Sequence, residues 1–226
     1  HDAIRGEHSW QHLLKTWHKL KELQRLYPRL SLGIITVVNE TNQHVYPAFI
    51  DELVDTFQPN QISVNLVRDT TSLANKPPNA VLDAYQQAIE RYEWHMQHKT
   101  LNALSYLGGA IVRAKEAVQK KLIYRVMRFD EFVTPCTAGD LIYVIWEDGR
   151  VNACEMLPDT VGNIIGDAAD NNFRNIVRSS QAKALRSRIV EEQCKCSYEC
   201  AMTVNTLFSW PIARDLWTRV LRGQKD

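Results

Sequence analysis

The sequence has almost no net charge and no long hydrophobic run, and both absences exclude classes of protein. Lys and Arg number 27 against 26 Asp and Glu, which gives a formal net charge of +1. Such a balance leaves no electrostatic footprint for nucleic acid or an anionic membrane. No apolar run is long enough to span a bilayer, and no signal peptide is recognisable. We therefore expect neither a nucleic-acid partner nor a membrane partner.

The common signatures of nucleotide binding and hydrolysis are also missing. There is no Gly-rich phosphate loop, no Ser-centred nucleophile elbow and no cluster of acidic metal ligands. With 226 residues, 45% of them hydrophobic, the chain can bury the core of one large domain or two small ones. It begins with His1 in place of Met, which predicts a processed chain or a piece of a longer one.

The first 70 residues show the alternation typical of an α/β fold. Apolar residues with helical spacing predict a helix over 10–26, with Ser9 as its N-cap. A β-branched run over 30–38 then predicts a buried strand. Pro47 opens a second helix, and 62–67 is another predicted strand. A strand, a crossover helix and a strand of this size form a parallel βαβ unit, whose sheet must be covered on both sides.

The rest of the chain predicts further helices and one hairpin. The hairpin is centred on Asp148-Gly149, a strong turn signal, with strands over 141–146 and 150–153. The predicted helices cover 80–97, 101–128, 171–188 and 211–221. The charged residues of the second of these, among them Lys115, Glu116 and Lys120, are interpreted as a solvated face. His95 and His98 are interpreted in the same way.

The five cysteines carry most of the chemical information, and all of them follow residue 135. Cys136 and Cys154 flank the hairpin, and Cys194, Cys196 and Cys200 lie within seven residues, which predicts a tight loop that can point several sulfurs at one centre. An odd number without export signals argues against a disulfide framework and for a reducing compartment, which predicts a cytoplasmic location. Thiolates at turns suit zinc or an iron–sulfur cluster, whereas small buried hydrophobes are the simpler alternative. A structural zinc module remains open, although no Cys-x2-Cys pair is present.

The cysteine spacing is similar to that of a known family. The first two cysteines resemble the opening signature of SPASM and twitch domains, the auxiliary iron–sulfur modules of radical S-adenosylmethionine (SAM) enzymes. In this pattern twelve residues separate Cys136 from Gly149, and four residues separate Gly149 from Cys154. The surrounding segment, GDLIYVIWEDGRVNACEMLPDTVGNI (139–164), resembles the hairpin of that family. The terminal Cys194-x-Cys196-x3-Cys200 resembles its closing group. The resemblance implies one [4Fe–4S] cluster in a twitch-like domain, held by Cys136, Cys154, Cys196 and Cys200, with Cys194 as the alternative ligand.

The N-terminal segments are similar to the same enzymes. Three segments resemble the second half of the partial (β/α) barrel of radical SAM enzymes. They are His1 to Gly6 with the helix that follows, LSLGIITVVNETNQ (30–43) and QISVNLVRD (61–69). The implied fold class is α/β, with a partial barrel over 1–72, a helical connection over 73–131 and the twitch-like β-hairpin plus helix domain over 132–226. The Cys-x3-Cys-x2-Cys motif that cleaves SAM is absent, so the resemblance implies the C-terminal part of a longer enzyme.

The resemblance also implies a SAM and substrate cavity at the carboxyl ends of the barrel strands. Thr36, Ser63, Asn65, Arg68 and Arg5 are the candidate residues; the alternative is that they satisfy barrel backbone or surface ion pairs. The implied enzyme is an oxidoreductase that uses SAM for radical hydrogen abstraction. Its partners would be a small-molecule or peptide substrate and a reductant such as a ferredoxin or flavodoxin. An electron-transfer or partner-binding subunit without SAM chemistry is the remaining alternative.

Overall fold

The computed structural model describes residues 1–68, 76–102, 104, 108–159, 162–169 and 171–222. Predicted positions 69, 103 and 105–107 lie outside these residues. In chain order the elements are α1 (Asp2–Arg5), α2 (Ser9–Leu26), β1 (Gly33–Val38), α3 (Ala48–Phe57), β2 (Gln61–Leu66), α4 (Asn79–Gln97), α5 (Gly109–Phe129), β3 (Val144–Ile145), β4 (Arg150–Asn152), β5 (Ile164–Asp167), α6 (Phe173–Arg178), α7 (Ser180–Glu191), α8 (Glu199–Phe208) and α9 (Trp210–Arg222). No helix in this part of the chain is long and apolar enough to cross a membrane.

The predicted βαβ unit is confirmed. β1 and β2 pair in parallel, from Gly33 beside Gln61 to Val38 beside Leu66. The crossover helix α3 buries one face, formed by Ile50, Leu53, Val54 and Phe57. These side chains join the large core that also includes the inward face of α4. Helical periodicity and β-branched content were therefore sufficient to predict this unit.

The expectation that β1 is buried on both sides is wrong. Ile35 is 73% exposed and Val37 is 41% exposed. Pairing in register sets Ile35 beside Ser63 and Val37 beside Asn65, so all four residues share one face of the two-stranded sheet. α5 lies against the β2 half of that face, which leaves the β1 half uncovered. A barrel beyond these two strands stays a prediction.

The helix predicted over 101–128 begins only at Gly109. Gly108 adopts a φ of 91°, which is left-handed backbone that ends helical geometry on its N-terminal side. A Cβ on Gly109 would stand 2.7 Å from the Cβ of Leu104, so glycine is needed for the close approach. From Gly109, α5 runs to Phe129 and packs against α4, β2, α8 and α9. This central helix brings the N-terminal unit into contact with the C-terminal helices.

The C-terminal sheet contains the predicted hairpin and one strand that the sequence did not predict. β3 and β4 are antiparallel around Gly149, whose φ of 92° suits the turn, and β5 adds to the other side of β4. β5 was missed because Ile164–Asp167 is too short for a clear alternation. The sheet packs on α6 and α7 through a second core that contains Cys154.

Two of the predicted C-terminal elements need correction. The single helix over 171–188 is two helices, because the Ser179 side chain accepts a hydrogen bond from the Ala182 backbone N–H and caps a new helix there. The segment around Cys200, predicted as a tight loop, is the first turn of α8. Both errors concern where a helix begins, which is the least certain feature in sequence periodicity.

Candidate metal centre

Four of the five cysteines lie near one another, between the C-terminal sheet and the loop that follows α7. Cys136 precedes the hairpin, Cys154 follows β4, and Cys194 and Cys196 lie in the loop before α8. The Cys194 side chain interacts directly with Cys136, and Cys154 and Cys196 lie near enough to influence its ionisation. Cys154 and Cys196 are buried and none of the cysteines forms a disulfide. The fold thus collects thiols from three separate segments.

Cys200 lies apart from this group. It is exposed, in the first turn of α8, and its side chain interacts with Tyr198. The chain becomes helical at Glu199, so Cys200 leaves the extended segment that carries Cys194 and Cys196. Cys194 thus interacts with another cysteine and Cys200 with a tyrosine, whereas the resemblance implied Cys200 as the ligand and Cys194 as the alternative. The identity of the ligands themselves stays a prediction.

A buried asparagine shapes the turn that presents Cys154. Asn163 is fully buried, and its Oδ1 accepts a hydrogen bond from the Cys154 N–H at 3.1 Å. Its Nδ2 donates to the Cys154 carbonyl at 2.8 Å and to the Leu157 carbonyl at 2.7 Å. These three bonds close the loop between β4 and β5. They also explain the asparagine of the Gly162-Asn163-Ile164 sequence that follows Cys154.

A second buried asparagine supports the segment of Cys136 in the same manner. Asn205 of α8 is 3% exposed, and its Oδ1 accepts hydrogen bonds from Thr137 N at 2.9 Å and from Thr137 Oγ1 at 2.7 Å. The Asn205 side chain also hydrogen-bonds with Cys136. α8 therefore supports the segment that carries the first cysteine.

Backbone amides point at two of the sulfurs. The Met156 N–H donates to Cys154 Sγ at 3.3 Å, and the Tyr198 N–H donates to Cys196 Sγ at 3.4 Å. In each case the donor lies two residues after the cysteine. Such bonds favour a thiolate and orient it, as the outer partners of metal ligands do.

The thiols influence one another's protonation. The Cys194 thiol hydrogen-bonds with Cys136 and lowers the pKa of Cys136 to about 6, and the same bond together with burial raises the pKa of Cys194. The two titrate as a pair. Burial raises the pKa of Cys196 to about 12 and also raises the pKa of Cys154. Cys154, Cys194 and Cys196 therefore need a nearby cation to lose their protons near neutral pH, and a bound metal centre supplies one.

The donor set fits an iron–sulfur cluster by its chemistry. Four largely buried sulfurs, two of them with N–H···S bonds, are the environment that soft thiophilic centres require. In the part of the chain that the structure describes, no three or more Cys, His, Asp or Glu side chains are arranged to hold a single metal ion.

The five residues proposed for SAM and substrate do not come together. Thr36 Oγ1 lies 2.5 Å from the Tyr46 hydroxyl, and Arg5 is exposed at the end of α1. Ser63 Oγ donates to Glu116 Oε1 at 2.5 Å and also lies 3.0 Å from Asn65 Oδ1. Thr36, Ser63 and Asn65 thus use hydrogen bonds within the fold. Their role toward SAM stays a prediction.

Arg68 takes a different direction and reaches the cysteine centre. Its guanidinium carbon lies 4.6 Å from the centre of the Tyr198 ring, and its Nη1 is 3.7 Å from Met156 Sδ. Arg68 follows β2 in the chain, so the end of this strand touches the two residues whose amides bond the sulfurs of Cys154 and Cys196. The sequence resemblance selected Arg68 for a SAM contact, which stays a prediction, and did not indicate this contact with the cysteine centre.

The face of α5 that was interpreted as solvated is a buried network, and that interpretation is wrong. Lys115, Glu116 and Lys120 are 9%, 4% and 2% exposed. Lys120 Nζ lies 2.7 Å from Glu199 Oε2, 3.1 Å from Glu116 Oε1 and 2.9 Å from Asn65 Oδ1. The signal was present: positions 116 and 120 share a helical face, and polar Ser63 and Asn65 share a strand face.

The network ties α8 to the N-terminal unit. Gln119 Nε2 donates to the Glu199 carbonyl at 2.9 Å and to its Oε2 at 2.7 Å. Burial disfavours the charged form of Glu116, but Lys120, Lys115 and the hydrogen bond from Ser63 together outweigh burial and lower its pKa. Glu199 immediately precedes Cys200 and opens α8, so the network fixes the helix that also carries Asn205.

His95 also differs from its sequence interpretation as part of a solvated face. It is 4% exposed, with Nε2 2.7 Å from Asp51 Oδ1 and Nδ1 2.6 Å from Thr100 Oγ1. The bond to Asp51 connects α4 to α3. The sequence could not show this because Asp51 is 44 residues away in the chain.

Comparison with known families identifies the cysteine-bearing segment. Residues 136–201 match the family model of SPASM, described as an iron–sulfur cluster-binding domain. The match begins at Cys136 and ends one residue after Cys200, so it contains all five cysteines. It assigns iron–sulfur cluster binding, typical of radical SAM enzymes, to this part of the chain. Searches of curated proteins and of solved structures found no match to the chain.

Proposed function

We propose that Cys136, Cys154, Cys194 and Cys196 bind one [4Fe–4S] cluster. The observation that carries this proposal is the convergence of these four thiols within the segment that matches the SPASM model. When bound, such a cluster supplies one-electron redox chemistry or an iron site for a substrate atom. Around it, Asn163 and the backbone amides would orient the ligand sulfurs and exclude water.

The wider proposal is that this cluster serves a radical SAM oxidoreductase. SPASM domains occur in radical SAM enzymes, and the parallel βαβ unit is compatible with part of a (β/α) barrel. The Cys-x3-Cys-x2-Cys motif, which holds the SAM-cleaving cluster, does not occur in these 226 residues. In this proposal, residues outside this sequence would have to hold the SAM-cleaving cluster. A small-molecule or peptide substrate and a low-potential reductant, such as a ferredoxin or flavodoxin, complete this proposal.

Anaerobic reconstitution tests the cluster directly. The purified chain is incubated with ferrous iron, sulfide and thiol, desalted, and analysed for iron, acid-labile sulfide, visible absorption and Mössbauer spectrum. We expect about four irons and four sulfides per chain, the stoichiometry of one [4Fe–4S] cluster. A colourless protein that takes up zinc stoichiometrically and never gains the broad visible absorption would overturn the proposal in favour of a structural zinc module.

The radical SAM context needs a separate test. The complete transcript and the mass of the native protein show whether a Cys-x3-Cys-x2-Cys segment belongs to the same polypeptide. If neither the native polypeptide nor a protein that purifies with it contains such a segment, the cluster works in electron transfer or partner binding without SAM chemistry.

A further inference from the structure

We propose that Arg68 is the residue through which the βαβ unit positions the cysteine centre and raises the reduction potential of its cluster. This inference rests on the cluster proposed above. It concerns a residue outside the segment that matches the family model, because Arg68 follows β2. The role differs from the SAM contact that the sequence resemblance implied for this arginine.

The first support is the geometry of the two cysteine turns. Met156 and Tyr198 each lie two residues after a cysteine and donate a backbone N–H to its sulfur. The guanidinium of Arg68 contacts the side chains of both, at 3.7 Å from Met156 Sδ and 4.6 Å from the centre of the Tyr198 ring. One side chain therefore links two turns that are far apart in the sequence, and both of them present a sulfur.

The second support is the charge. Arg68 is half-buried, and in the described part of the chain no Asp or Glu oxygen lies within ion-pair distance of it. Its guanidinium lies over the ring of Tyr198, the residue whose backbone N–H donates to Cys196 Sγ. The charge thus lies beside the centre, and no carboxylate among the described residues is paired with it.

The expected size follows from Coulomb's law. At an effective dielectric constant of about 20, a unit charge within about 12 Å changes a one-electron equilibrium about tenfold. Removal of a positive charge destabilises the reduced cluster, which carries one more electron. We therefore expect an Arg68→Gln variant to be about tenfold harder to reduce, a shift of about −59 mV for a one-electron couple.

The other contact predicts a separate effect. Arginine stacks on an aromatic ring through its planar group, and lysine offers only a point charge. Arg68→Lys keeps the charge and loses the planar contact with Tyr198. We expect this variant to keep a potential near that of the unaltered protein, but to lose its cluster several times faster when exposed to an iron chelator.

The experiment is an anaerobic redox titration of the reconstituted full chain, followed by electron paramagnetic resonance, on the unaltered protein, Arg68→Gln, Arg68→Lys and Arg174→Gln. Arg174 is an exposed arginine of α6 and is the matched control for loss of one positive charge. Circular dichroism and iron content before titration establish that each sample is folded and loaded.

A lower potential in Arg68→Gln only, with faster chelation in both Arg68 variants, supports the proposal. Equal potentials in Arg68→Gln and Arg174→Gln, with the same iron content, overturn it and leave the cluster assignment intact. An Arg68→Gln chain that folds but does not load, beside an Arg68→Lys chain that loads normally, also supports the role of the charge. Failure of the unaltered protein to bind any cluster overturns the proposed function and this inference together.

Discussion

Lys120→Met removes the cation at the middle of the buried network. Lys120 is 2% exposed and lies within 3.1 Å of Glu199 Oε2, Glu116 Oε1 and Asn65 Oδ1. Methionine is similar in length and leaves little empty volume, so the loss is mainly electrostatic. Glu116 keeps Lys115 at 2.9 Å, whereas among the described residues the Glu199 carboxylate keeps only the neutral amide of Gln119.

The cost of this substitution is the cost of one uncompensated buried carboxylate. Removal of one partner from a buried ion pair destabilises a protein by about 3–5 kcal/mol. We expect a loss of that size in the free energy of unfolding, measured by urea denaturation followed by circular dichroism, anaerobically at pH 7. A second substitution, Glu199→Gln, removes the stranded charge and is expected to recover part of the loss.

Lys121→Met is the matched control. Lys121 is the next residue of the same helix, its side chain is 51% exposed, and it pairs with Glu93 at 2.6 Å. An exposed pair contributes about 0–1 kcal/mol. Equal losses for Lys120→Met and Lys121→Met would refute the reasoning, because the network would then be no more important than a surface pair.

Two further substitutions test the network and the second core. The folded pKa of Glu116 lies below its usual value of 4.5, so the unfolded chain binds more protons than the folded chain as the pH falls through that value, and the free energy of unfolding decreases. Glu116→Gln is expected to flatten this decrease in urea titrations between pH 7 and 3. An unchanged slope would contradict the lowered pKa of Glu116. Gly166→Ala places a Cβ 2.7 Å from Ile176 Cγ2, whereas Gly33→Ala meets nothing closer than 3.7 Å; we expect a loss of about 1–3 kcal/mol for the first only, and equal melting temperatures would show that β5 and α6 are not tightly packed.

Local patterns predicted much of the fold. The parallel βαβ unit, α4 and the hairpin at Gly149 follow from hydrophobic spacing and turn residues, which act over a few positions. Helix starts were less predictable, since Gly108 and Ser179 each set a boundary through one backbone angle or one side-chain bond. β5 was too short to leave a pattern.

The candidate site was predictable in composition but not in detail. The cysteine spacing identified the segment that the SPASM model matches. It could not decide between Cys194 and Cys200, because that depends on the residue at which α8 begins. Burial of Lys120 depends on contacts about 55 and 79 residues away in the chain. Long-range pairings of this kind leave no local signal.

The most direct test of the four-cysteine centre compares Cys194→Ser with Cys200→Ser. Both variants are reconstituted anaerobically in parallel with the unaltered chain, and iron, sulfide and visible absorption are measured per chain. We predict that Cys200→Ser keeps the full cluster content and that Cys194→Ser loses most of it. Full loading of Cys194→Ser together with loss in Cys200→Ser would contradict the arrangement of thiols described above.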